Sequence, residues 1–328
     1  MSYQGRLGER RIIEIIIELQ EKMRGNPLPF GDDVSAIRLG KGRLAVLKCD
    51  MLVGLTDVPS GMSLWQASRK AVVASVSDLA AKGVQPKAIL VSLGLPKGLS
   101  EGEVREIGSG LNSGAREYSA FVLGGDTNES KDLSIDVFAF GICKEKDLVR
   151  RDSSRAGDIV AVTGSFGLTG LGLRIIKENL AVPKMLRDEA TSAVYMPKAR
   201  LVEGLALARR HLIDSSIDSS DGLAWSLHEL AKAGAVGFEI DRIPIHSGVN
   251  GFALESGLDP LDLAFYSGEE YELVVTMRLD NFERAKRAVS SLVAIGRVVS
   301  DSGKIILKSD GKVHEIASRG YEHFSENL

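Results

Sequence analysis

The residues best suited to chemistry are seven aspartates, most of them next to glycine or serine. Asp32 and Asp33 close Phe30-Gly31-Asp32-Asp33, and Asp50 follows Lys48-Cys49. Asp78 lies in Ser77-Asp78-Leu79-Ala80, Asp126 ends Gly124-Gly125-Asp126, and Asp218 and Asp221 bracket Ser219-Ser220. Carboxylates that share a cleft repel one another, and their pKa values rise unless cations neutralise them. Hard oxygen donors without a cysteine or histidine cluster suit Mg²⁺ or Mn²⁺. Mg²⁺ prefers a few carboxylates together with water and substrate phosphates, so the pattern favours nucleotide phosphate chemistry over hydrolysis at zinc. The two cysteines, Cys49 and Cys143, cannot build a cysteine metal site, and the five histidines show no metal-ligand spacing.

Each carboxylate also has a structural use. Asp33 and Asp126 could make turns after glycine, Asp221 could cap a helix, and Asp78 could pair with Lys82 one helical turn away. Asp50 could end a strand at the surface. Six such sites with this glycine context are hard to assign to turns alone. Thr163-Gly164-Ser165-Phe166-Gly167-Leu168-Thr169-Gly170 is either a tight strand-to-helix turn or a cradle of N–H groups for phosphate. It fits neither the P-loop nor the dinucleotide fingerprint.

The elements that must position these groups alternate. Helices are expected at Leu7–Lys22, Ser63–Lys82 and Ser100–Tyr118, with strands at Leu44–Lys48, Ala88–Leu93, Phe121–Leu123 and Ser134–Ile142. Lys144 to Asp158 is rich in charge and lacks apolar periodicity, which marks a linker and divides the chain into 1–147 and 148–328. A second half follows, with strands at Ile159–Thr163 and near 236–240, 272–277, 292–299 and 304–308. Its helices are expected near 168–179, 197–211 and 281–291, with another opening at Asp221. Because some strands adjoin without a helix, the pattern predicts an α+β fold of mixed sheets covered on one face.

Composition narrows the function. The chain has 328 residues, enough for about two domains. A net charge of −3 provides no field for holding nucleic acid or an anionic membrane. Charged residues interrupt the first twenty positions, so no signal peptide is expected, and no apolar run is long enough to span a membrane. A cytoplasmic protein is expected.

Seven segments occur in a suggestive order: Phe-Gly-Asp-Asp, Asp-Met-Leu-Val, Val-Ser-Asp-Leu-Ala-Ala-Lys-Gly, Gly-Gly-Asp-Thr, Asp-Ser-Ser-Asp-Gly-Leu, Gly-Glu-Glu-Tyr-Glu-Leu and Gly-Tyr-Glu-His-Phe. The set, from about residue 5 to residue 324, resembles the thiamine-monophosphate kinase family of the aminoimidazole ribonucleotide synthetase superfamily. The resemblance implies a PurM-like architecture of two α+β domains. The N-terminal domain's sheet would pair with that of a second subunit in a homodimer, and ATP and several Mg²⁺ ions would lie in the cleft between domains. It implies transfer of the ATP γ-phosphate to thiamine phosphate. By the same resemblance Asp33, Asp50, Asp78, Asp126, Asp218 and Asp221 are metal ligands, while Gly125, Asp126, Arg151 and Ser220 contact nucleotide. Glu269 and Tyr321 contact thiamine phosphate, and Asp57 occupies the position of a substrate-side histidine found in many members. Lys48 and Cys49 replace hydroxyl residues common in the family.

A phosphate monoester has a second pKa of about 6, so the acceptor oxygen is already largely ionised at neutral pH and no general base is required. The remaining alternatives are another ATP-dependent enzyme of the superfamily and a nucleotide- or Mg²⁺-binding regulator without turnover.

Overall fold

Helix α3 (Leu64–Ala81) sets the plan of the molecule, which a computed structural model describes over residues 8–309 and 311–324. Its start is defined by a capping box, in which Ser63 Oγ accepts from Gln66 N–H and Gln66 Oε1 accepts from Ser63 N–H. Beyond that the helix is mostly alanine, valine and serine, so neighbours approach closely on every side, and nearly its whole length is buried. Two other helices, α4 (Glu101–Glu117) and α7 (Leu201–Ala208), pack against its backbone. A Cβ on Gly110 of α4 would lie 2.3 Å from the Trp65 carbonyl oxygen, and one on Gly204 of α7 would lie 2.0 Å from that of Ala80. Gly83, with φ +67°, turns the chain out of α3.

The first sheet has the order β1-β2-β5-β3-β4 and comprises β1 (Ser35–Gly40), β2 (Arg43–Val53), β5 (Ser134–Lys144), β3 (Pro86–Leu95) and β4 (Phe121–Glu129). Only β3 and β4 are parallel. Leu52, Ile89, Val91, Ile135 and Val137 form a core with Ala71, Val72 and Val76 of α3 and Ile107 of α4. This is the expected mixed sheet with helices on one face.

The second sheet runs β12-β11-β8-β10-β6-β9-β7. Its strands are β6 (Ile159–Val162), β7 (Ser215–Asp218), β8 (Gly237–Ile240), β9 (Leu273–Met277), β10 (Val293–Val299), β11 (Ile305–Ser309) and β12 (Lys312–Glu315). Here the expectation of a sheet covered on one face fails. Every residue of β9 is buried, with Val274 in the core beneath α8 (Leu223–Gly234), while Leu273, Val275 and Met277 pack with α7 and α11 (Leu279–Ala288). A short, continuously apolar strand is the signature of burial on both faces. A satellite core joins α5 (Leu168–Glu178), α6 (Lys184–Tyr195), α9 (Ser247–Ser256) and α10 (Pro260–Phe265).

Several elements differ from expectation in ways that bear on the site. Strand β2 continues to Val53, so Asp50 lies within it. Strand β4 continues through Gly124-Gly125-Asp126 to Glu129, so Asp126 is a strand residue and not a turn. Helix α8 starts after Gly222 without a side-chain cap, so Asp221 is not its capping residue. Helix α1 (Glu9–Glu18) is shorter than the expected span, whose first residue, Leu7, lies outside the described residues. No helix among the described residues is long and apolar enough to cross a membrane.

The two sheets meet across polar links. Lys82, fully buried just past α3, lies 2.8 Å from Asp32 and 2.6 Å from Asp33 and donates to the Ser216 carbonyl on β7 at 2.8 Å. The charged stretch after β5 is held on the first half as well. Arg150 donates to the Pro27 carbonyl at 2.8 Å and Arg151 pairs with Asp33. Replacing Lys82 by Met leaves two buried carboxylates short of a cation. The expected loss is about 3–5 kcal/mol of unfolding free energy, the usual cost of breaking a buried pair. Denaturant titration checks it, and an unchanged midpoint would show that the ammonium does not bind the halves together.

Candidate active site at the seam between the sheets

Four elements deliver carboxylates to one place. Asp33 comes from the loop before β1, Asp50 from β2, Asp78 from the last turn of α3, and Asp218 from the end of β7. Asp33, Asp78 and Asp218 are buried, and each offers an oxygen within 4.8 Å of the others. Ser77 Oγ donates to Asp218 Oδ2 at 2.6 Å, which ties α3 to β7. Lys48 Nζ lies 2.9 Å from Asp50 Oδ1 and 2.9 Å from Asp78 Oδ2. The expected local pair of Asp78 with Lys82 does not form; Lys82 reaches Asp32 and Asp33 instead, and Lys48, from the adjacent strand, takes Asp78.

The electrostatics show which carboxylates have enough compensating charge. Burial pushes Asp33 up, but Arg151 and Lys82 outweigh it and hold its pKa below the usual range. Asp218 is pushed up to about 7, by burial first and then by the Asp33 carboxylate. Asp78 rises well above the ordinary value, again by burial; Lys48 lowers it, and Asp218, Asp50 and Asp33 raise it. Asp221 reaches solvent, yet the surrounding protein and Glu9 push it up to about 6. Asp50 Oδ2 is buried without a hydrogen-bond partner. Undercompensated carboxylates, an orphaned carboxylate oxygen and donors that are all hard oxygens together fit a small divalent cation such as Mg²⁺.

Asp126 is placed elsewhere. It pairs in register with Ser92 on β3, which in turn pairs with Asp136 on β5, and these side chains share the uncovered face of the first sheet. Cys49 is on that face too, with its thiol 2.9 Å from Asp136 Oδ1, whereas its neighbours Lys48 and Asp50 point to the α3 side. Gly125, Asp126, Cys49, Ser92 and Asp136 help line a cavity of about 450 Å³. Glycine is required at 125, because a Cβ there would meet the Val91 carbonyl oxygen at 1.7 Å. Within one chain, therefore, the sheet separates Asp126 from the cluster at the seam.

Arg151 and Ser220 border the seam. The Arg151 guanidinium pairs with Asp33, bonds the Gly31 carbonyl and lies 3.7 Å from Glu229, and its Nε is buried without a partner. Ser220 belongs to a loop braced against the segment 268–272. Its carbonyl accepts from Glu269 N–H at 2.6 Å, and Tyr271 N–H donates to the Ser219 carbonyl at 2.9 Å. Glu269 and Tyr271 have φ of +66° and +52°, strained values for residues with side chains that are maintained by these bonds. Glu269 thereby meets the buried Lys70 of α3, whose ammonium also donates to the Asp57 carbonyl at 2.9 Å. The Asp57 carboxylate accepts from Val53 N–H at 2.7 Å. Tyr321 N–H donates to the Asp221 carbonyl at 3.0 Å. The Tyr321 phenol is pushed up to about 12, by burial first and then by the Asp57 and Glu269 carboxylates.

Sequence reasoning missed Lys70 and gave Lys82 only a local pairing with Asp78. Their signal was a cation inside an otherwise apolar, alanine-rich helix span, where charge persists only if it is paired. It also missed Glu270, whose carboxylate accepts from Gly167 N–H at 2.6 Å and Thr169 N–H at 3.3 Å. The start of α5 is thus occupied by the protein's own carboxylate, and the glycine-rich segment before it is a strand-to-helix turn and no phosphate cradle.

Comparison with known proteins agrees with this fold. The family model of the AIR synthase related protein N-terminal domain matches residues 31–143, and that of its C-terminal domain matches residues 155–308. A thiamine-monophosphate kinase of Nitrosopumilus maritimus is 35% identical over 313 residues, covering 94% of this chain and 97% of the relative. One of Pyrococcus abyssi is 37% identical over 301 residues, covering 91% and 92%. Among solved structures, AaThiL complexed with AMPPCP and TMP superposes with a TM-score of 0.86 at 26% identity, covering 98% of this chain and all of that one. The tt0281 protein of Thermus thermophilus gives a TM-score of 0.82 at 31% identity, covering 92% and 97%. With buried acids from both halves meeting at one seam, and with this likeness along nearly the whole chain, the protein belongs to the thiamine-monophosphate kinase family of AIR synthase related proteins.

Proposed function

We propose that the chain transfers the γ-phosphate of ATP directly onto thiamine phosphate, giving thiamine diphosphate and ADP. The observation that carries this reading is the meeting of Asp33, Asp78 and Asp218, from both sides of the seam, within 4.8 Å of one another. The relatives' names and a relative's complex with AMPPCP and TMP support it. Asp33, Asp50, Asp78, Asp218 and Asp221 would hold Mg²⁺ at the seam, whereas Asp126 and Gly125, on the face of the first sheet that a second copy would cover, would serve metal and nucleotide across that interface. When bound, Mg²⁺ would screen the two polyanions, align them and stabilise charge on the transferred group.

The chain's own residues do the rest. Arg151 and the Ser220 loop border the seam where nucleotide phosphates would lie. Asp57, Glu269 and Tyr321 offer two carboxylates and an aromatic face, a setting that suits a cationic heterocycle such as that of thiamine. The acceptor phosphate is already ionised, so no side chain has to remove a proton and no phosphorylated residue intervenes. Residues 1–147 form the unit with ATP and metal ligands, and residues 148–328 complete the cleft. Free thiols at Cys49 and Cys143 accord with a reducing cytoplasm, where ATP is supplied.

The uncovered face of the first sheet supports a homodimer. Ile37, Met51, Leu90 and Phe121 are exposed on four of its five strands, an apolar patch that a second copy of the sheet would cover. Leu90→Glu is expected to shift the sedimentation coefficient from dimer to monomer; a variant that sediments like the parent would exclude this face as the interface.

Product analysis tests the activity. Incubated with ATP, Mg²⁺ and each of thiamine phosphate, free thiamine and formylglycinamidine ribonucleotide, the enzyme should consume the first alone and yield thiamine diphosphate. Turnover confined to another acceptor would contradict the assignment. Asp126→Asn should lower kcat about a hundredfold or more, the scale of losing one electrostatic stabiliser of a transition state.

A further inference from the structure

Lys48 stands at an unusual place for a lysine. It lies on the α3 side of β2, two residues before Asp50, and its ammonium bridges Asp50 Oδ1 and Asp78 Oδ2, each at 2.9 Å. Lys82 and Arg151 are engaged with Asp32 and Asp33. Lys48 is therefore the cation that serves the Asp50–Asp78 side of the cluster.

We propose that Lys48 is a built-in replacement for one divalent ion: its ammonium takes the position between Asp50 and Asp78, so this enzyme binds one Mg²⁺ fewer than its acidic residues could otherwise hold. The inference deepens the metal-dependent reading above and rests on it. An ion bound to both carboxylate oxygens needs contacts of about 2.0–2.1 Å. It would then sit on the ammonium itself, which has donors and no lone pair to offer a metal. The two cations exclude each other sterically and by charge. A tethered ammonium is always present, whereas an Mg²⁺ ion must be recruited from solution and partly stripped of water. Asp50 Oδ2 still lacks a hydrogen-bond partner and Asp218 is paired with the neutral Ser77 hydroxyl, so replacement of one ion does not empty the pocket of oxygen donors.

The test is a count of bound Mn²⁺ per chain by equilibrium dialysis without nucleotide or thiamine phosphate, on the full-length wild type, Lys48→Thr and Lys48→Arg. Lys48→Thr should bind one more Mn²⁺ than wild type, and Lys48→Arg should bind the wild-type number. In EDTA the melting temperature of Lys48→Thr should fall below that of wild type, and Mn²⁺ should restore it. Equal counts in wild type and Lys48→Thr would overturn the proposal. So would a Lys48→Thr chain that Mn²⁺ cannot bring to the folded state. Because no substrate is present, failure of the thiamine phosphate assignment would leave this count unchanged, and the two results remain separable.

Discussion

Gathering carboxylates in a protein interior is expensive, since an unpaired buried ion costs several kcal/mol even after the surroundings relax. This chain does so where its two sheets meet, and much of its architecture reads as a response. Asp32 and Asp33 are held by Lys82 and Arg151, Asp50 and Asp78 by Lys48, and Asp218 by the Ser77 hydroxyl. Compensation is complete at Asp33, whose pKa stays low, and incomplete at Asp78 and Asp218, whose pKa values rise. The seam is thus stable enough to form and still short of positive charge, the condition under which a site recruits a divalent cation and the phosphates that accompany it.

Helix α3 makes this arrangement possible. Its small residues let the first sheet, α4 and α7 approach its backbone, so polar groups on the helix can reach partners in both halves. Lys70 meets Glu269, Ser77 meets Asp218, Asp78 meets Lys48, and Lys82 follows at the helix end. One rigid element thereby relates the acid cluster to the region around Asp57, Glu269 and Tyr321. Phosphoryl transfer depends chiefly on positioning and charge stabilisation, so a scaffold that relates the two regions through a single helix suits the proposed reaction.

Much of this was legible in the residues. The aspartates beside glycine and serine, the long alanine-rich helix and the mixed first sheet could all be read from pattern, because side-chain periodicity and turn chemistry are local. What could not be read was tertiary. Asp78 and Lys82 have helical spacing, yet the buried α3 directs them to different partners in the fold. Asp126 follows two glycines and reads as a turn, but parallel pairing with β3 extends the strand and puts it on the face opposite Asp50. β7 is only four residues long, too short to show a period, although it carries Asp218. Glu270 gives no local sign that it reaches the start of α5, roughly a hundred positions away in the chain.

The central claim is that these acids await a cation, and pH makes it measurable. Asp218, near 7 in the folded chain, has an unfolded value of about 3.9, so the fold binds the extra proton and without metal loses stability as pH rises between those values. The decisive measurement is the unfolding midpoint of wild type and Asp218→Asn, each in EDTA and in Mg²⁺, at pH 5 and pH 8. The account predicts that Mg²⁺ stabilises the wild type far more at pH 8 than at pH 5. It also predicts that in EDTA the Asn variant gains more stability over wild type at pH 8 than at pH 5. A stabilisation by Mg²⁺ that is absent, or equal at both pH values, would contradict it.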